Sequence, residues 1–121
     1  MSKDPRQDEY LHSFLVDVTI GSSQVLGDVL DIIAYDEYSF QIYWSGTPVG
    51  DFTIEQSLDG TNWETLTGST LAAGGAAGSH IFEVSSARQM RFVRLYYTRT
   101  GSTGVVNGVA NKSGFRHGFS Q

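Results

Sequence analysis

The sequence predicts an all-β chain, a single-domain antiparallel β-sandwich or jelly roll of about seven to eight short strands with extended terminal arms. Three observations point there. The 121 residues hold fourteen glycines against two prolines, and only 17% are charged, which suits many tight turns between short elements better than long helices laced with ion pairs. Apolar and polar residues alternate in several short runs, the period of a strand with one buried face. With 40% hydrophobic residues, the chain is long enough for one core and one domain.

The opening MSKDPRQDEY, residues 1–10, is polar and charged and reads as an N-terminal arm. It lacks the apolar run of a secretory signal, and no later stretch approaches the length of a membrane span, so synthesis in the cytoplasm without a membrane partner is expected. The sandwich is placed at residues 11–111 and a C-terminal tail at 112–121. LHSFLVDVTI (11–20) alternates loosely as a first strand, and in DVLDIIAY the β-branched residues favour an extended segment or a bend. YSFQIYWSG puts Tyr38, Phe40, Ile42 and Trp44 on one face, with Ser39, Gln41, Tyr43 and Ser45 on the other.

Pro48 presets a turn at 47–50, after which DFTIEQS resumes with Phe52 and Ile54 inward. Asp59-Gly60 has the chemistry of a tight hairpin connection, which predicts that EQSLDGTNWETL folds back on itself and that Trp63 joins Phe52, Ile54, Val93 and Leu95 in the core. TGSTLAAGGAAGSH (67–80) offers little area to offset its ordering entropy and is expected to be a mobile loop; no lysine follows Gly74-Gly75, so it is no phosphate cradle. IFEVS (81–85), RFVRLYYTR (91–99) and VVNGVAN (105–111) complete the strands, with a turn at 101–104 and Val93, Leu95 and Tyr97 facing the core.

FTIEQSLDGTNWETL, followed by RFVRLYYTRTGSTG, resembles the second half of a discoidin-like (galactose-binding-like) β-sandwich, with its Ser-x-Asp-Gly-x-x-Trp hairpin and later arginine-flanked strand. Residues 44–50 (WSGTPVG) and 97–104 (YTRTGSTG) are also similar to turns of small bacteriophage virion proteins; together the likenesses span residues 38–111. The resemblance implies a structural virion protein, a capsid decoration, minor capsid or tail-associated subunit, whose partners are other virion proteins and copies of itself. The discoidin likeness implies an alternative, a carbohydrate-binding module for which a host-surface glycan is the partner.

Chemistry-bearing patterns are few. A net charge of −5 repels phosphate, which argues against nucleic acid. The lack of cysteine excludes disulfides, thiolate zinc sites and cysteine nucleophiles. His12, His80 and His117 have no zinc spacing, and Asp28, Asp31, Asp36 and Glu37 lack the dense loop of a calcium site and read as an acidic edge. No Gly-x-Ser-x-Gly elbow appears. Neither enzymatic activity nor a cofactor is expected. The aromatic residues carry the functional reading: Tyr38, Tyr43, Trp44, Tyr96 and Tyr97 fall on opposite faces of their strands and cannot all share one core. Tyr43 and Tyr96 are therefore candidate interface residues, joined by Phe115, Arg116, His117 and Phe119 of the tail, whose two phenylalanines suit anchoring on a neighbouring subunit.

Overall fold

Alternation along the chain is realised as strands. The computed structural model describes residues 11–32, 35–84 and 91–115, and every regular element within them is a β-strand. These are β1 (Leu11–Thr19), β2 (Gln24–Asp31), β3 (Tyr35–Gly46), β4 (Val49–Ser57), β5 (Glu64–Thr65), β6 (Leu71–Ala72), β7 (Gly78–Val84), β8 (Phe92–Gly101) and β9 (Gly104–Phe115). The last runs on past Asn111, beyond the sandwich edge read from the sequence.

Pairing is antiparallel and nested. β1 pairs with β9, β2 with β8, β3 with β7, and β4 with both β5 and β6. The chain is thus a long hairpin rolled on itself, and β3–β9 and β4–β8 pairing ties the roll into a four-stranded sheet, β1-β9-β3-β7, and a five-stranded sheet, β2-β8-β4-β5 with β6 also on β4. This is the jelly-roll arrangement of a two-sheet sandwich.

The core is filled by the inward parity of each strand. Tyr38, Phe40, Ile42 and Trp44 of β3, Phe52 and Ile54 of β4, and Val93, Leu95 and Tyr97 of β8 are all buried, as the alternation predicts. Trp44, Phe52 and Tyr97 form a continuous run of tilted rings with centroids 4.9 and 5.0 Å apart. β1 departs from simple alternation: neighbours Phe14 and Leu15 are both buried, because its register against β9 shifts between His12 and Leu15 and again between Leu15 and Val18, and such bulges turn successive side chains to one side. Of the stretch read as an extended segment or bend, residues 28–31 are the end of strand β2, with Leu30 buried, and Ile32, also buried, follows it; Ile33 lies outside the described residues.

Two loop expectations are corrected. EQSLDGTNWETL does fold back on itself, with Glu55 opposite Thr65 and Gln56 opposite Glu64, but the connection at Asp59-Gly60 is longer than a tight turn: β4 ends at Ser57 and β5 begins at Glu64, and of the pair only Gly60 has a positive φ, 76°. The glycine-rich segment is tied down rather than free. Ala73 N–H donates to Gly50 O and Gly75 N–H to Pro48 O, both at 2.8 Å, and the Trp44 indole N–H donates to Ala76 O at 2.8 Å. Its small residues answer a packing need, since a Cβ at Gly78 would stand 2.7 Å from the Trp44 ring.

Candidate functional site

The outward parity of the strands produces two faces of different character. On the five-stranded sheet, the loop after β4 folds back over the sheet and is organised by one carboxylate. Asp59 Oδ1 accepts the Thr61 and Asn62 backbone N–H groups, each at 2.8 Å, and the Ser57 hydroxyl at 3.0 Å, while Oδ2 accepts the Asn62 side-chain amide at 2.8 Å. These donors, the Asn62 backbone N–H foremost, hold the Asp59 carboxyl far below the ordinary carboxylate range. Ser57 Oγ in turn accepts the Gly60 N–H at 2.9 Å, and Ser57 O accepts the Arg91 N–H at 3.2 Å, fixing the loop to the start of β8.

What the loop covers explains the rest of the motif. Gly60 rides over Phe92, where a Cβ would sit 3.4 Å from the ring. Trp63 is half-buried on this outer face and not in the core: the Arg94 guanidinium lies 4.1 Å from its ring centroid, and the same guanidinium donates to Glu55 Oε1 at 2.7 Å. The expectation that Trp63 packs with Phe52, Ile54, Val93 and Leu95 is thereby overturned, because Trp63 closes a loop and meets the outward parity of β8 (Phe92, Arg94), whereas those four occupy the inward parity. Arg91 completes the cover, 5.0 Å above the Phe92 ring and paired with Asp31 at 3.2 Å. Asp28 is met by His12 at 2.8 Å, so both described aspartates of the acidic edge have nitrogen partners. Among the described residues no three His, Cys, Asp or Glu side chains converge on a metal-sized site.

The outer face of the four-stranded sheet has another composition. The ladder sets Val109, Gln41 and Ile81 side by side across β9, β3 and β7, and Asn107, Tyr43 and Ser79 in the next outward row. Tyr43 and Ile81 are each 53% exposed, and Val16 on β1 is 64% exposed. Among the side chains described on these two outward rows and their flanks, carboxylates are confined to Asp17 on β1 and Glu83 on β7.

Of the interface candidates, Tyr43 stands fully outward on this face. Tyr96 is half-buried on the opposite face, between Val25 and Thr53, so the two tyrosines do not form one site. Phe115 ends β9 opposite Tyr35, and Arg116, His117 and Phe119 lie outside the described residues. Sequence reasoning missed Ile81 and Val16; the period-two rule applied to HIFEV would have set Ile81 opposite Phe82, but which parity faced out depended on where β7 paired.

No family model matches the chain, and no curated protein matches it either. Among solved structures it is similar to a chain in the structure of infectious bursal disease virus, Gx strain, with 13% identity and a TM-score of 0.57 over 91% of this chain and 33% of that one. This protein therefore spans about a third of the length of that viral chain. It is also similar to the SPBc2 prophage-derived protein YomS, with 12% identity and a TM-score of 0.48 over 83% of this chain and 89% of that one. A chain of the Bacillus endospore appendages, described as disulfide-linked pili, follows with 18% identity and a TM-score of 0.35 over 84% and 90%. None of the three is described as a discoidin domain. At these identities the likeness is one of fold, and the fold in common with the viral chain is the two-sheet β-sandwich.

Proposed function

We propose that the protein is a non-enzymatic structural subunit of a phage particle, a capsid decoration, minor capsid or tail-associated protein that works through contacts with other virion proteins and with copies of itself. The observation that carries this reading is the division of labour on the surface. Asp59, Arg94 and Glu55 are engaged in holding one loop over the five-stranded sheet, while the outward rows around Tyr43 and Ile81 present exposed, weakly charged surface of the kind proteins use against one another. The fold shared with a viral chain supports it. So does the placement of the termini: Leu11 opposite Asn111 and Phe115 opposite Tyr35 send both arms from one end of the four-stranded sheet, where residues 1–10 and the tail with Phe115, Arg116, His117 and Phe119 would reach a neighbouring subunit. The protein would be made in the host cytoplasm and reside in the virion.

Mass analysis of purified particles tests the reading directly. It predicts the chain at a fixed copy number per particle; its absence from particles of a phage that expresses it would overturn the proposal. A second reading, a module binding a host-surface glycan, draws on Trp63, whose indole stands on an outer face instead of in the core. Glycan-array binding that Trp63→Ala abolishes would favour it.

A further inference from the structure

The four sheet edges are not equally protected. An edge strand presents unpaired N–H and C=O groups that template pairing with another chain, and proteins blunt such edges with bulges, charge or very short strands. β1 carries two register shifts against β9 and a left-handed residue at Asp17, φ 48°. β2 carries a shift between Leu26 and Leu30. β5 and β6, which share the edge beside β4, are two residues each. β7 has neither a bulge nor a very short span, and Glu83 is its one carboxylate: it is seven residues long, GSHIFEV, contains no proline, and pairs with β3 from Tyr38↔Val84 to Trp44↔Gly78 without a break in register. Among the described residues nothing bonds its far side.

We infer that β7 is a docking edge for β7 of a second copy, the two strands pairing antiparallel about a two-fold axis at Ile81 to join the four-stranded sheets into one of eight strands. This specifies the self-association in the proposed function, and three features select the occupant. Ile81 is the middle residue of Gly78–Val84, so a two-fold there uses the whole strand, whereas centring on Ser79 or Glu83 leaves part of it unpaired. That register is also electrostatically self-complementary: Glu83 meets Ser79 and His80 meets Phe82, while centring on Glu83 would set two carboxylates directly opposite each other. Finally, it brings together two half-exposed Ile81 side chains on the outer face, continuing the Val109–Gln41–Ile81 row across the junction. An isologous contact of this kind closes on itself and does not propagate. Seven residues of edge bury less than a standard interface, so the free subunit associates weakly and with a dependence on concentration.

Because the chain has no cysteine, Ile81→Cys gives a clean test on the full-length protein. Directly opposed residues of an antiparallel pair have Cα atoms roughly 4.5–5.5 Å apart, within disulfide range. Mild oxidation should convert Ile81→Cys to a covalent dimer at least tenfold faster than Val16→Cys, a more exposed position on the opposite edge strand. Sedimentation equilibrium should show a monomer–dimer system whose dissociation constant Ile81→Lys raises tenfold or more, with the melting temperature of the monomer kept. Cross-linking no faster than the Val16→Cys control, or a wild-type chain that stays monomeric at the highest soluble concentration, would overturn the pairing. The two proposals fail separately: a monomeric chain that is nonetheless a component of purified particles refutes the pairing alone, and a dimer absent from particles refutes the virion reading alone.

Discussion

Arg94 and Tyr43 both point outward from inner strands of their sheets, yet they meet opposite fates. Arg94 lies under the Trp63 ring and against Glu55, its side chain 21% exposed, while Tyr43 is 53% exposed between Asn107 and Ser79. The difference is supplied by one loop. Residues 58–63 fold back over the five-stranded sheet and cover the part of its outer face around Phe92 and Arg94 with the chain's own side chains, and no described segment does so for the four-stranded sheet. A covered face contributes to stability; an uncovered one is available for partners. Substitutions on the two faces should therefore separate folding from assembly.

Gly60→Val should show the largest effect. It forces a β-branched residue into a left-handed conformation, for a loss of about 1–3 kcal/mol by thermal or urea unfolding. A wild-type midpoint would mean that the loop does not hold its cover. Trp63→Ala comes next: a half-buried ring over a guanidinium should cost about 1–2 kcal/mol, well short of the roughly 3–5 kcal/mol typical of a buried tryptophan. A core-sized loss would return Trp63 to the interior.

Acid should act on the covered face as well. The Asp59 carboxyl is held low in the folded state, so its stabilising contribution is fully present above the ordinary carboxylate pKa of about 3.9 and disappears as pH falls toward the depressed folded value. The melting temperature of Asp59→Asn should accordingly differ from that of the wild type at pH 7, and the gap should narrow as pH falls below about 4. A gap that does not change with pH would exclude the Asp59 network as its source. The smallest effect belongs to the open face: Tyr43→Ser should change monomer stability by less than about 0.5 kcal/mol while lowering the occupancy of the protein in particles.

These contrasts also mark what could be read from the sequence. The inward rows of β3, β4 and β8 were legible because burial of one face imposes a period of two, and Tyr38, Phe40, Ile42, Trp44, Phe52, Ile54, Val93, Leu95 and Tyr97 obey it without a bulge on those runs. Exposure of Tyr43 followed from the same parity. The position of Trp63 did not, since it ends a loop, and loop residues inherit no parity from the strand before them. The glycine-rich segment misled for a related reason: composition records how little area it can bury, not that Trp44 and Gly50 stand ready to bond its backbone. The open edge of β7 was illegible altogether, because which strand becomes an edge is decided by nested pairing between residues far apart in the chain.

Hydroxyl-radical footprinting of the free subunit and of purified particles would test most directly whether the two faces divide folding from assembly. Oxidation of Tyr43 and Ile81 should fall on incorporation while that of Trp63 stays at its free-subunit level. Protection of Trp63 with Tyr43 and Ile81 unchanged would contradict that division and assign the contact surface to the five-stranded sheet.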